Sequence, residues 1–162
     1  MQVKLRQPCP PDVRRTYRWL SNKALRDDFM MLNAPEIRGH MGYWRSILER
    51  ELKDRFFSVD FDNAHVGNCG IKNIEESGRG EVWIYLGDSA VRGRGIGEHA
   101  MACLKQEARS MQLSELILHV RSDNAAANQL YRKAGFVLAE IGSARSFGFG
   151  VDAQVCLMRI GL

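Results

Sequence analysis

The sequence predicts an α/β fold built on one mixed sheet, and three observations carry that expectation. Apolar residues at helical spacing occupy the opening segment, alternating apolar segments joined by short turns occupy the middle, and the remainder twice passes from a buried strand into a helix. Composition agrees: 162 residues, 45% of them apolar and 26% charged, describe an ordinary globular chain long enough to bury a core without disulfide or metal staples. The length argues for one domain, residues 1–162, and no linker, repeat or low-complexity tract interrupts it.

Taken in order, Pro10-Pro11-Asp12 opens a helix in which Val13, Tyr17 and Leu20 share one face. Asn22 and Asp27-Asp28 break that pattern, and Asn33-Ala34-Pro35 marks a loop. Ile37, Met41, Trp44, Leu48 and Leu52 form a second helical stripe, expected to face the core. Phe57, Val59 and Phe61 alternate with Ser58 and Asp60, Asp62-Asn63 supplies a turn, residues 65–74 make the return strand, and Glu75 to Gly80 turns again. Val82-Trp83-Ile84-Tyr85-Leu86 is apolar without alternation, as expected of a central strand covered on both faces. Ile96, Ala100, Leu104 and Met111 place a helix start near Gly95, and Leu116-Ile117-Leu118-His119-Val120 reads as another buried strand. Asp123-Asn124 caps a helix with Ala127, Leu130 and Ala134 inward and Gly135 at its end. Residues 136–138 and 151–160 are further strands, joined by a Gly- and Ser-rich loop at 142–150.

Several function classes fall away. Met1 to Pro8 has no apolar run behind its basic residues, so no secretory signal is expected, and no apolar stretch approaches the roughly 20 residues that span a bilayer. Cys9, Cys69, Cys103 and Cys156 are scattered and make no familiar zinc spacing with His40, His65, His99 and His119. The expectation is reduced thiols in a cytoplasmic protein, with no metal. The net charge of +4 mildly favours an anionic ligand. It is spread along the chain, without the basic cluster that nucleic acid demands, so neither nucleic acid nor membrane is expected as a partner.

The informative segment is Arg92-Gly93-Arg94-Gly95-Ile96-Gly97, between a buried strand and a helix start. Amides at a helix start have no partners within the helix, and the macrodipole is positive there. Glycines remove the Cβ atoms that would keep a phosphate away, and the two arginines add fixed charge, so the segment suits a pyrophosphate. The glycines also admit a purely structural role in turning and close packing. A Walker loop is excluded because Glu98-His99 follows Gly97. The dinucleotide pattern fits loosely through Ala100, but Gly87 to Val91 intervene after the strand, and Val120 is followed by Arg121 where an acid would be needed.

Downstream, Asn124, Asn128 and Tyr131 lie on one face of the next helix, followed by Gly135-Phe136. With these residues the chain resembles the GCN5-related N-acetyltransferase (GNAT) superfamily. Arg92-x-x-Gly95-x-Gly97 is similar to its acyl-CoA pyrophosphate motif, and Asn124, Tyr131 and Gly135-Phe136 to its second motif, in order and distance. The resemblance implies the GNAT fold: a mixed, mostly antiparallel central sheet flanked by helices, with a V-shaped gap between two central parallel strands, here 81–87 and 115–120. It implies acetyl-CoA as co-substrate, its pantetheine arm on the backbone of Tyr85, Leu86 and Gly87 and its pyrophosphate on Arg92, Gly93, Arg94, Gly95, Ile96 and Gly97. Asn124 would orient the cofactor, with Asn128 beside it.

In the chemistry implied by the resemblance, an amine attacks the thioester directly, a backbone N–H near Leu86 serves the oxyanion, and Tyr131 protonates the departing thiolate. A half-buried structural aromatic is the other reading of Tyr131. His119 and Glu81 are the candidate bases; His119 shares a face with Ile117, which equally allows a core histidine. Acceptor choice falls to the 28–44 segment and the 142–150 loop. Trp19-Leu20-Ser21-Asn22, Phe29-Met30 and His40-x-x-Tyr43-Trp44 are similar to the branch acetylating nucleotide-linked amino sugars, with Phe29, Met30 and Trp44 as an apolar wall. The alternatives are the N-terminus of a ribosomal or other protein, an antibiotic or other small amine, or a non-catalytic acyl-CoA-binding sensor. Dimers are common among relatives, so a homodimer is compatible with the resemblance.

Overall fold

The computed structural model describes residues 2–50 and 53–162. In chain order these form β1 (Val3–Arg6), α1 (Pro10–Leu20), α2 (Lys23–Asp28), α3 (Ile37–Leu48), β2 (Arg55–Phe61), β3 (Ala64–Lys72), β4 (Arg79–Leu86), α4 (Ile96–Ser110), β5 (Glu115–Arg121), α5 (Ala125–Lys133), β6 (Val137–Ser143) and β7 (Gln154–Gly161). Single turns of 3-10 helix occupy Ser89–Val91 and Arg145–Phe147. The strands make one seven-stranded sheet in the order β1-β2-β3-β4-β5-β7-β6. β4 and β5 run parallel and the other neighbouring strands antiparallel, which is the mixed sheet expected.

One sheet face is covered by α4 and α5. Ile71, Val82, Ile96, Met101, Leu104, Leu116 and Leu118 form the main core there, each almost fully buried. The opposite face carries an aromatic row under α1–α3: Trp44 touches Phe56, Phe56 touches Trp83, and Phe29 and Trp19 flank Tyr85. Gly87 is where the Trp19 indole rests, since a Cβ would lie 1.9 Å from its ring. Asp62 and Asn63 take the left-handed conformation (φ 48° and 65°) that a two-residue hairpin turn requires.

Beneath the aromatic row runs a buried polar cluster. Asp12 accepts hydrogen bonds from the Arg6 guanidinium (2.7 and 2.9 Å), the Cys9 amide (2.9 Å) and the Ser58 hydroxyl (2.7 Å). Burial alone would raise its pKa, but these donors hold the carboxyl well below the usual carboxylate range. Asn68 donates to Thr16 Oγ1 and to the Tyr85 hydroxyl, both at 2.8 Å, so Tyr85 is anchored from below.

Four expectations are corrected. β1 was not anticipated, because its four residues alternate charged and apolar side chains at the sheet edge. α2 follows α1 directly, with Asn22 serving as its N-cap (Ala24 N to Oδ1, 2.9 Å) and not only as a breaker. α3 buries His40, Trp44 and Ile47, while Ile37 and Met41 are half exposed; His40 is drawn inward by its bond to the Val13 carbonyl. Leu52 lies outside the described residues. In α5 the inward face centres on Asn128 and Tyr131, with Ala127, Leu130 and Ala134 only partly buried beside them.

Candidate active site

The two parallel strands part company early. β4 and β5 are in register only at Arg79↔Glu115, Gly80↔Leu116 and Glu81↔Ile117 among the described residues, although β4 runs on to Leu86 and β5 to Arg121. Between the diverging ends lies a cleft of about 480 Å³. Successive amides of a strand point to opposite edges. Gly87 N bonds Val66 O (2.9 Å), so Gly87 and Tyr85 face β3, and beyond the last paired residue Glu81 and its neighbour Val82 the amides of Ile84 and Leu86 face the gap. An arm lying in the gap would therefore meet Leu86 and Ile84, not Tyr85 or Gly87. The expected main-chain contacts of Tyr85 and Gly87 are corrected on that ground.

At the wide end of the cleft α4 begins without a side-chain cap. Gly93 and Gly95 adopt φ of 76° and 75°, and a Cβ on either would meet nothing within 4 Å. These open glycines leave the first-turn amides of Ile96, Gly97 and Glu98 facing the cleft, and Arg92 lines it while donating to Leu86 O at 3.3 Å. Such a bare, positively biased helix start beside an unpaired strand edge fits a ligand with a diphosphate and an amide-bearing arm. Gly97 has a second reason to be glycine, because a Cβ would sit 3.0 Å from the Leu130 side chain. Arg94 does not line the cleft; its guanidinium lies over the Phe61 ring, 5.8 Å from the centroid. Asn124 lines the cleft and caps α5 (Ala127 N to Oδ1, 3.1 Å). Asn128 is drawn instead into the β5–α5 turn, donating to the carbonyls of Arg121 (2.9 Å) and Asn124 (2.8 Å).

The narrow end gathers the titratable groups. His119 leaves β5 on the face opposite the core strand residues Leu118 and Val120, which removes the core-histidine reading. Its Nδ1 lies 3.0 Å from Glu81 Oε1. Asn73, held at φ 50° just past β3, donates to Glu81 Oε2 at 2.7 Å, and Lys72 Nζ is 3.6 Å from Oε1. Burial would raise the Glu81 pKa, but the bonds from His119 and Asn73 and the Lys72 charge more than offset it, leaving the carboxyl below its ordinary value. An ionised carboxylate only accepts, so Nδ1 carries the hydrogen, and in the neutral imidazole Nε2 then holds the lone pair. Phe147 and Phe149 pack on the imidazole at 5.1 and 5.4 Å. Tyr131 also lines the cleft, and burial pushes its phenol up to about 12.

Phe29 and Met30 line this end, whereas Trp44 is 1% exposed and packs with Val13 and Ile47 away from the cleft. The cleft is instead lined by Trp83 and Phe149, with Asp28 also lining it. Asp28 and Phe149 fall in the 28–44 and 142–150 segments expected to choose the acceptor, although neither was singled out there, whereas Trp83, Lys72 and Asn73 were missed by sequence reasoning. Trp83 was hidden inside an apolar strand; the one usable signal was the neighbouring Gly70, whose Cβ would lie 2.8 Å from the Trp83 ring.

Comparison with known proteins adds an independent line. The sequence model described as "Acetyltransferase (GNAT) family" matches residues 15–136. The mycothiol acetyltransferase of Mycobacteroides abscessus is 34% identical over 68 residues, 42% of this chain and 23% of that protein. The chain spans 23% to 50% of the length of the curated relatives it matches. Among solved structures, spermidine N-acetyltransferase from Vibrio cholerae in complex with CoA and spermine superposes with a TM-score of 0.86 at 19% identity, covering 99% of this chain and 95% of that one. Ribosomal-protein-alanine N-acetyltransferase from Brucella melitensis superposes with a TM-score of 0.79 at 21% identity, covering 100% of both.

Proposed function

The chain belongs to the acetyltransferase (GNAT) family, and from that premise we propose that it transfers an acetyl group from acetyl-CoA to a primary amine by direct attack. The observation that carries this reading is the meeting, in one cleft, of an unpaired β4 edge, a bare α4 start, Tyr131 and the Glu81–His119 pair. Acetyl-CoA, when bound, supplies an activated acyl carbon and a sulfur leaving group. Arg92 and the first-turn amides of α4 would hold its diphosphate, and the gap-facing amides of Ile84 and Leu86 its arm.

His119 Nε2 takes the proton that the amine must lose, while Glu81 fixes the ring and its tautomer through Nδ1–H. Leu86 N–H would donate to the carbonyl oxygen as charge develops there. Tyr131, kept protonated by burial, gives its proton to the departing sulfur. Phe29, Trp83 and Phe149 exclude water around the amine, and Asp28 and Glu81 favour its approach as a cation.

We place a nucleotide-linked amino sugar first among acceptors, then a protein N-terminus, then an antibiotic or other small amine, polyamines included. Relatives in fold bear on the second and third classes, being named for ribosomal-protein alanine and spermidine. Residues 1–162 are read as one acetyltransferase unit, and the free thiols of Cys9, Cys69, Cys103 and Cys156 support a reducing, cytoplasmic setting. The test is release of CoA thiol from acetyl-CoA across amino-sugar nucleotides, peptides with free N-termini and polyamines. Release dependent on at least one amine class is expected. Thermal protection by CoA with no release from any class would make the chain an acyl-CoA-binding module and overturn the transferase reading.

A further inference from the structure

The acceptor face of the sheet carries an amine of the protein's own. Lys72 ends β3 opposite Glu81 in the antiparallel register, and Glu81 in turn pairs with Ile117 of β5, two residues before His119. Cys69, Ile71, Val82, Leu116 and Leu118 belong to the core under α4 and α5. By alternation Lys72, Glu81 and His119 leave the other face, as a row across three neighbouring strands.

Lys72 Nζ lies 3.6 Å from Glu81 Oε1, the same oxygen that stands 3.0 Å from His119 Nδ1. At that separation the ammonium is held by charge and not by a hydrogen bond. The side chain is 36% exposed, so its flexible four-carbon stem is not locked in place. One other lysine lines the cleft among the described residues, Lys133, and it is bonded at 2.9 Å to Glu98 in the first turn of α4, at the diphosphate end. Lys72 is therefore the one lysine amine that the described residues bring to the reacting end. It stands where an acceptor's ammonium would meet Glu81.

We propose that Lys72 is an acceptor within the chain: with acetyl-CoA bound and no external amine present, the protein acetylates its own Lys72. The ammonium swings from Oε1 and gives one proton to His119 Nε2, and the nitrogen electron pair attacks the thioester carbon. A C–N bond forms as the C–S bond breaks, and the departing sulfur takes the Tyr131 proton. The second nitrogen proton restores Tyr131, and His119 releases the first to water, so the products are acetyl-lysine, CoA thiol and one proton. The acetamide carries no charge, so the pair with Glu81 is lost while its bulk stays where an acceptor must enter. External amines compete for that place, and their supply decides whether the site stays open. The inference rests on the acetyltransferase reading and adds to it a modification site.

The test incubates the protein with acetyl-CoA and no amine, followed by intact mass and peptide mapping. One acetyl group is expected, on Lys72, appearing at a first-order rate independent of protein concentration, while Lys133 stays unmodified. His119→Gln should slow its appearance about 10²-fold. Afterwards the parent should have lost kcat/KM, in proportion to the acetylated fraction, toward the best amine among amino-sugar nucleotides, peptides and polyamines. Lys72→Arg keeps a cation but offers no acceptor amine, and should retain through the same incubation the kcat/KM it started with. Acetylation of Lys72 no faster than that of Lys133, or at the parent rate in His119→Gln, means reaction with the thioester alone and overturns the inference. Should His119→Gln not fold, the ratio of Lys72 to Lys133 decides by itself. Thiol release onto added amines with Lys72 unmodified overturns the inference and leaves the transferase intact. Thermal protection by CoA with neither Lys72 nor any added amine acetylated removes the transferase reading, and the inference with it.

Discussion

Replacing Glu81 by Gln preserves shape and removes one charge, so it isolates what the carboxylate does for His119. The two oxygens of Glu81 are separately committed, Oε1 to His119 Nδ1 at 3.0 Å and Oε2 to Asn73 Nδ2 at 2.7 Å. An amide offers only one acceptor oxygen. If Gln turns that oxygen to His119, its NH₂ opposes the Asn73 NH₂, and unsatisfied buried donors cost about 1–3 kcal/mol. If it turns its NH₂ to His119 instead, Nδ1 must accept, Nε2 takes the hydrogen, and the base is lost. General acid–base catalysis contributes roughly 10²–10⁴-fold, so Glu81→Gln is expected to lower kcat by about 10²–10³, or about 3–4 kcal/mol. Adding Asn73→Asp gives the Gln NH₂ an acceptor and frees its oxygen for Nδ1–H, so the double variant should regain part of the loss. CoA thiol release measures the rates, and the ¹⁵N shifts of His119 report the tautomer directly. A Glu81→Gln rate within about threefold of the parent, or a double variant no faster than the single one, would refute the pairing.

Tyr131→Phe should reduce kcat by roughly 10²–10³ while leaving thermal protection by CoA unchanged. Because burial raises the Tyr131 pKa to about 12, the phenol stays protonated through pH 10, and any alkaline loss of kcat from this group must lie above the ordinary tyrosine range; a fall at or below pH 10 that vanishes in Tyr131→Phe contradicts the assignment. Gly95→Ala forces a Cβ onto a residue at φ 75° with open space around it, so melting should report about 1–2 kcal/mol of backbone strain, and calorimetry weaker CoA binding. Asp12→Asn breaks a part-buried ion pair whose arginine keeps Asp60 as a partner, and should cost about 1–3 kcal/mol in urea unfolding near neutral pH. The Asp12 pKa is depressed, so its contribution is present above the unfolded value near about 3.9 and lost as pH falls below it; the gap between parent and variant should narrow on acidification.

The helical and strand periods of the main elements were legible because each rests on a covered face. The uncapped start of α4 was legible too, since glycine at positions 93 and 95 answers a local demand for positive φ. What the sequence concealed were residues whose role depends on partners far along the chain. Glu81 and His119 are 38 positions apart and meet only because Glu81 pairs with Ile117 across the parallel register. Trp44 and Trp83 look interchangeable as apolar aromatics, yet one is sealed between α1 and α3 and the other lines the cleft. Asn128 seems a ligand contact by spacing, but two carbonyls at the β5–α5 turn need its donors more.

The topology also explains why the chemistry sits where it does. β4 is paired from Glu81 to Leu86 by β3, and β5 along its length by β7, so each half of the sheet is stiff on its own and, among the described residues, no pairing joins the two beyond Glu81↔Ile117. Sheet twist then separates the free ends and leaves the gap-facing amides of β4 for another strand-like chain. A ligand arm pairing there must stop where β5 closes the gap, and the residues at that closure on the acceptor face are Glu81 and His119. The acyl carbon of the proposed reaction is delivered to that junction by the geometry of the sheet, before any side chain selects it. Saturating CoA should accordingly stabilise the fold, by about 2.7 kcal/mol at a hundred times its Kd, because it pairs edges that the apo chain leaves to water.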